Sequence, residues 1–409
     1  MTGQQVWRVT IPDNANVSLD GMSSVTNKLE ISESVYSPFV YGEWAFSGSS
    51  NLFELQHLSV GVKLLFTFVG ANGNEISFPL SILSIETGPG LNAENLPYTF
   101  YLTLVSPWYF EQIPISKAYK GKNSDIIKAI LSTVFPNSFS KTTISESYDN
   151  LNVCKYQTLQ SPVSFIQERL LPYTIGKEYS SVFFFINSFN EIELIDFEGM
   201  KNKTKYVAID PANTNIIKYN EAINDPAKCP YYIYPLSLVI NVNGSEQHKL
   251  WEISSPGFVA NKRVYPIEKK AIDVPVLPAL GLNYKEKAFT PVFASKDKSK
   301  ITYNYIDDSL DLDEKILTKT LFKYNRDLMK EITIDMVIHS NFIVHVGRLC
   351  FLDIHTPNDK ETASIFSQDY IISNVSHVLE GNKISTTVSL STTALSKDNT
   401  DNITGFLKT

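Results

Sequence analysis

"VGVKLLF" at 60–66 and "VGRLCF" at 346–351 say nearly the same thing at two distant points of one chain. Each opens on Val-Gly, with a Lys or Arg and a Leu close behind. Their surroundings also run in parallel. "LSVGVKLLFTF…PLSILSIET…YTFYLTLVS" is answered by "FIVHVGRLCFLDI…DYIISNVSHV…KISTTVSLS". Gly61 and Leu104 lie 43 residues apart, and so do Gly347 and Leu390. In each copy the glycine strand is followed by a loop, a strand with Ser and Ile or Val, a turn, and a long alternating strand. One copy alone is ordinary β patterning. Two copies matched in strand content, order and total length point to an internal duplication.

The closing strands show which faces are buried, because side chains alternate sides along a strand. In the first copy Tyr98, Phe100, Leu102 and Leu104 point one way, and Thr99, Tyr101, Thr103 and Val105 the other. In the second, Ile384, Thr386, Val388 and Leu390 form an apolar and β-branched face suited to packing. Ser385, Thr387, Ser389 and Ser391 form a row of hydroxyls without charge. Hydroxyls want water or hydrogen-bond partners. The wall of a water-filled channel would look like this, and so would a plain solvent face. An open two-sided sheet carries exposed edges, which closure into a barrel or a ring of copies removes. The expected fold is therefore mainly β with α+β insertions: two similar tube-like antiparallel β-barrel domains and a small α+β domain.

The 409 residues exceed what one core holds, roughly 250–300 residues, so several domains are expected. Residues 1–110 read as the first β-barrel, with turn signals at 71–74 and 88–90. Residues 111–212 read as the α+β middle domain. There "GKNSDIIKAILSTVF" predicts a helix capped by Asn123 or Ser124, with Ile126, Ile127, Ile130 and Val134 on one face. "LQSPVSFIQERLLP" predicts a second helix, capped by Ser161, with Pro162 in its first turn and Pro172 closing it. "SVFFFIN" and "EIELIDF" form a hairpin across Ser188, Phe189 and Asn190. Residues 213–253 plus 313–395 read as the second barrel, and 254–312, rich in Pro and Lys, as an insertion associated with the middle domain. Residues 313–332 predict the longest helix, with Ile316, Leu317, Leu321, Tyr324, Leu328 and Ile332 buried. Its Lys315, Lys319, Lys323, Arg326 and Lys330 make a basic stripe, either a solvated face or a contact for an acidic partner. Residues 396–409 read as a flexible tail.

Composition excludes several classes. Charged residues are 19% and hydrophobic ones 43%, ordinary for a globular chain. The net charge of −7 disfavours a surface that grips nucleic-acid phosphates, and suits one that DNA passes without sticking. Cys154, Cys229 and Cys350 lie far apart, with neither a disulfide framework nor a zinc spacing. The start lacks the basic and apolar regions of a secretory signal, and no run approaches the roughly 20 apolar residues of a membrane span. No G-x-S-x-G, H-E-x-x-H or Walker A pattern occurs, so no enzyme is expected and no cofactor. Asp307, Ser309, Asp311 and Asp313 alternate like a calcium loop, but Leu312 stands where the turn needs Gly and the closing Glu is missing. His339, His345 and His355 fall near Asp335 and Asp353, but a metal needs three or four converging ligands, so no metal is expected.

The order of elements, with "VGRLCFLDI", "DYIISNVSHVLEGNKISTTVSLSTTAL" and the middle stretches "KAYKGKNSDIIKAIL" and "LQSPVSFIQERL", resembles baseplate hub proteins of tailed bacteriophages, which are related to the hub half of type VI secretion spikes. His377 matches the histidine of the pattern in such hubs. The resemblance implies a homotrimer with two tube-like barrels per chain, so that six barrels surround a channel and adapt a threefold central spike to a sixfold tail tube. It implies a virion protein of the tail baseplate, assembled in the host cytoplasm. Its partners would be the tail tube protein, the central spike protein, other baseplate proteins and the tape measure protein. DNA would pass through during ejection without specific binding. Ser385, Thr387, Ser389, Ser391, Thr99 and Thr103 are then the candidates to line the channel, and the basic stripe at 315–330 a candidate interface. No OB-like extension or β-helix repeat follows residue 400, so the spike is expected as a separate chain. The 254–312 insertion has no counterpart in the family pattern. A receptor- or carbohydrate-binding tail protein is the alternative, since aromatics are 12% and can stack on sugars, with a cell-wall hydrolase a third.

Overall fold

The computed structural model describes residues 6–12, 19, 22–48, 58–69, 75–88, 98–147, 154–174, 176, 182–196, 199–200, 202–203, 205–209, 232–242, 276–277, 301–302, 332–339, 342, 344–356, 359–363, 366–381 and 383–392. The fold is mostly β, built on a curled and mainly antiparallel sheet of 13 strands. The first six strands are β1 (Val6–Thr10), β2 (Thr26–Ser34), β3 (Tyr41–Gly48), β4 (Lys63–Val69), β5 (Glu75–Gly88) and β6 (Tyr98–Val105). They lie in the order β1-β4-β5-β6-β3-β2.

A middle segment follows. β7 (Ile115–Lys120) pairs with β9 (Cys154–Gln160), while β8 (Lys141–Ile144) runs parallel to one strand of a hairpin, β10 (Val182–Ile186) and β11 (Glu191–Asp196). The helix Asn123–Val134 buries Ile126, Ile127, Ile130 and Leu131, while Val134 is only half-buried. Its cap differs from the expectation. Lys122 holds the cap position without a side-chain bond, and the Asn123 amide donates instead to the carbonyls of Leu170 (3.4 Å) and Tyr173 (2.9 Å). The acceptor for a first-turn N–H comes from outside the helix: Ser124 N–H donates to Ser147 Oγ at 3.2 Å. Ser161 does cap Pro162–Phe165, accepting from the Ser164 N–H at 3.2 Å. That helix loosens into a wider turn over Ile166–Leu170 and closes in a tight one, Leu171–Tyr173, which contains Pro172.

The remaining strands are β12 (Tyr206–Ile209), β13 (Tyr232–Ile233), β14 (Pro235–Val242), β15 (Val276–Leu277), β16 (Ile301–Thr302), β17 (Ile332–His339), β18 (Leu349–Asp353), β19 (His355–Thr356), β20 (Asp359–Ala363), β21 (Gln368–Glu380) and β22 (Lys383–Thr392). Ile332 opens β17 rather than ending a helix. The rest of the expected helix at 313–332, including the basic stripe, lies outside the described residues, as do the tail and all of 254–312 except β15 and β16.

The duplication holds at the level of single hydrogen bonds. The first set is ordered β4-β5-β6-β3-β2 and the second β18-β21-β22-β17-β14. Gly61 N–H donates to the Ile82 carbonyl (2.8 Å) and Ile82 N–H to Val62 (3.0 Å). Gly347 N–H donates to Ile372 (3.0 Å) and Ile372 N–H to Arg348 (2.9 Å). Both glycines have positive φ, +88° and +73°, a conformation L side chains resist. Ile82 pairs with Leu104 and Ile372 with Leu390, and each pair sits just before a register shift. The β2–β3 and β14–β17 pairs also shift at matching places, Thr26/Lys28 and Pro235/Ser237. This alignment makes Val62 and Arg348 equivalent, so the basic residues of the two motifs, Lys63 and Arg348, are not counterparts.

β2 and β21 join the two sets into one sheet, pairing antiparallel from Lys28↔Glu380 to Ser34↔Asn374. One apolar cluster packs the first set with the middle segment, including Trp44, Phe66, Phe78, Trp108, Ile127 and Phe165. The other lies under the second set, with Ile334, Met336, Cys350, Tyr370, Val388 and Leu390. Burial of each such side chain contributes about 1.5–3 kcal/mol.

Candidate functional site: the polar face of the shared sheet

Directly paired residues of neighbouring strands point to the same side of a sheet. One row can therefore be followed across seven strands. It runs Ser84, Thr103, Glu43, Glu30, Val378, Ser385 and His339. The next runs Tyr41, Ser32, Ser376, Thr387, Val337 and Ser237. Thr99 pairs with Ser47, and Ser389 with Asp335 and Asn374. Thr99, Thr103, Ser385, Thr387 and Ser389, from opposite copies of the repeat, thus share one face of one continuous sheet. Each is half-buried. Ser391 departs from this picture. It is 2% exposed, and its hydroxyl donates to Ser373 Oγ at 2.7 Å.

Neighbouring strands bring charge that the hydroxyl row of β22 lacks. Ser389 Oγ donates to Asp335 Oδ1 (2.6 Å), and Asn241 Nδ2 donates to Asp335 Oδ2 (2.9 Å). Ser376 Oγ donates to Glu30 Oε1 (2.9 Å), Ser32 Oγ donates to Ser376 Oγ (3.0 Å), and Lys28 pairs with Glu30 at 2.7 Å. Burial works against the charged Glu30 carboxylate, but the bonds from Lys28, Ser376 and Ser32 prevail and hold its pKa below the ordinary value. On this face Glu30, Glu43, Glu86, Asp335 and Glu380 lie with Lys28 and Lys383, and the second row continues through Val105 and Ser81 to Lys63, so acids outnumber bases and the face is acidic. Such a face repels phosphates rather than collecting them. The strand-by-strand reading missed this because the acids lie on strands far away in sequence.

A second missed feature is Glu33. It follows Leu29 and Ile31 in the inward series of β2 and is 3% exposed. Its Oε1 accepts from the Val346 N–H at 2.9 Å and its Oε2 from the Ser188 N–H. One carboxyl thus ties β2 to the β10–β11 turn and to the second glycine loop. Burial pushes its pKa up to about 7, against the pull of those two N–H groups and of Arg348. Beside it Glu193 pairs with Lys203 and, at 3.4 Å, with Arg348.

His377 lies on the core side, not on the polar face. It packs between Phe342 (centroids 4.9 Å apart) and Phe78 (5.6 Å), with Nδ1 3.0 Å from Thr386 Oγ1. Burial lowers its pKa to about 3, so it is neutral. His339 is exposed at the end of β17, and His345 stands edge-on to Phe189. Among the described residues no group of three or more His, Cys, Asp or Glu is placed to hold a metal; the side chain of His355 lies outside them. The buried Cys350 thiol is pushed up to about 12 by desolvation. The aromatics that favoured sugar binding include many core residues, among them Trp44, Phe66, Trp108 and Phe183 to Phe185, although Tyr98, Tyr101, Tyr109, Phe110 and Tyr156 are exposed.

This fold, a curled and mainly antiparallel sheet built from a repeated strand set, is similar to that of two solved bacteriophage tail proteins. A tail protein from Neisseria meningitidis MC58 is similar at a TM-score of 0.51 and 7% identity, over 95% of this chain and 96% of that one. The 43 kDa tail protein of prophage MuSo2 from Shewanella oneidensis is similar at 0.54 and 8%, over 94% and 98%. The E. coli c3393 protein, a component of the type VI secretion system, gives 0.49 and 9%, over 90% and 73%. No family model and no curated protein matches the sequence.

Proposed function

We propose that the protein is a structural component of a phage tail: a trimeric baseplate hub whose two barrel-forming strand sets per chain present six similar units around a DNA channel. The observation that carries this reading is the repeat itself, matched in strand order, glycine loops and register shifts, within a chain that has the tail-protein fold. Two like units per chain let a threefold object offer a near-sixfold surface, which is what a spike-to-tube adapter needs. One end would meet a central spike chain and the other the tail tube, with other baseplate proteins and the tape measure protein as further contacts. The basic stripe at 315–330 is the proposed contact for an acidic partner. Thr99, Thr103, Ser385, Thr387 and Ser389, with the acids beside them, would line the channel, so that DNA slides past without being held.

Light scattering on the purified protein is expected to give three times the chain mass, with interfaces of the obligate class, roughly 2,000 Å² or more. An end-on electron-microscopy view is expected to show a ring with a central hole. A protein that stays monomeric at all concentrations and binds glycans instead would refute the hub. Replacing Thr387 and Ser389 together by Lys is expected to impair DNA passage or assembly more than folding. Normal infectivity of that double variant would remove both from the wall.

A further inference from the structure

The two strand sets are used unequally at their edges. β2 of the first set pairs along the second half of β21. The counterpart of β2 is β14, and the counterpart of that half of β21 is the end of β5 after its register shift. Among the described residues, β14 pairs only with β17, and beyond its register shift β5 pairs only with β6. Both free edges are accessible: Leu236 and Val239 on β14 are each 54% exposed, and Glu86 and Thr87 on β5 are exposed. Two open edges, each matching one half of a junction already made within the chain, are complementary by construction. Among the described residues the two edges do not meet within the chain.

We infer that β14 of one chain adds antiparallel to the end of β5 of a second copy, repeating between chains the β2–β21 junction seen within each. The inference deepens the trimeric hub reading and rests on it for the number of copies. Equivalent residues set the register. Ile31 pairs with His377, and their counterparts are Ile240 and Thr87; Ser32 pairs with Ser376, and theirs are Asn241 and Glu86. The intermolecular pairs are therefore Asn241 with Glu86, Ile240 with Thr87, and Val239 with Gly88. Asn241 and Glu86 fall on the polar face, where Ser32 Oγ and Ser376 Oγ are 3.0 Å apart, and an amide can donate to a carboxylate there. Val239 meets a glycine, which leaves room for a branched side chain. The contact is head-to-tail, so it closes into a ring when the rotation per copy divides a full turn. The junction removes both exposed edges and carries the acidic face unbroken from chain to chain.

The test pairs Asn241→Cys with Glu86→Cys in the full-length protein, oxidised with diamide and run on a non-reducing gel beside both single variants. The expected result is a covalent ladder that stops at the trimer, absent from the single variants. An out-of-register control, Asn241→Cys with Ser84→Cys, is expected to link at least tenfold less. Light scattering on the unmodified protein separates the two levels. A trimer in solution with no ladder from the in-register pair, or with equal linking by the control, overturns the edge pairing and leaves the hub standing. A monomer overturns both.

Discussion

Alanine at Gly61 and alanine at Gly347 are the same change at equivalent places, and the structure assigns them different costs. Each residue would be forced into left-handed backbone, at about 1–2 kcal/mol. At Gly61 an added Cβ meets nothing within 4 Å. At Gly347 it would stand 2.2 Å from Cζ of Phe185 and 3.0 Å from Cε2. Phe185 is fully buried in β10, so it cannot swing out into solvent to make room. Overpacking of this kind adds about 1–3 kcal/mol, so Gly347→Ala should cost about 2–5 kcal/mol in total. Urea unfolding followed by circular dichroism measures both. Adding Phe185→Leu should recover part of the loss at Gly347 and none at Gly61, a coupling that a double-mutant cycle reads directly. Equal losses at the two glycines, or strict additivity with Phe185→Leu, would refute the packing of the β10–β11 hairpin against the second glycine loop.

Two buried titratable groups set opposing pH trends. Glu33 has a folded pKa raised from 4.5 to about 7, so its stabilising share is complete below pH 4.5 and lost as pH rises to 7, by about 3 kcal/mol. Glu33→Gln should remove that limb: wild type should lose stability relative to the variant between pH 5 and 8, and parallel unfolding curves at the two pH values would refute the assignment. His377 has a folded pKa lowered from 6.5 to about 3, so its share is present above pH 6.5 and lost on acidification, by about 2 kcal/mol at pH 5. His377→Phe, which keeps an aromatic ring between Phe78 and Phe342, should flatten the acid limb of a melting-temperature profile. Tyr370→Phe deletes a buried hydroxyl that donates to the Phe366 carbonyl at 2.9 Å, and should cost about 1 kcal/mol by urea unfolding.

Much of this was legible in the sequence because alternation and offset are local properties. Phe100, Leu102 and Leu104 are buried as their period of two demands, and the 43-residue spacing places Leu104 and Leu390 opposite equivalent isoleucines. Tyr98 and Val105 break the pattern because they sit at the strand's ends, where Tyr98 is exposed and Val105 buried. What needed the structure was non-local. β7, β8 and β9 are short, and their partners lie 20 or more residues away. The acidity of the polar face comes from residues such as Glu30 and Asp335, which no window around β22 contains. Glu33 could have been suspected: it occupies an inward position between Ile31 and Val35, where an acid needs N–H donors to survive.

The link between β2 and β3 is six residues long, 35–40, whereas the equivalent link between β14 and β17 is 89 residues, 243–331. Hairpin tips accept such additions at little cost to the strands they join. In the trimeric ring proposed above, only every second unit would carry this addition, so the hexagon would be marked with a triangle. A docking protein that reads the strands would then see sixfold order, and one that reads the longer link would see threefold order, from a single gene product.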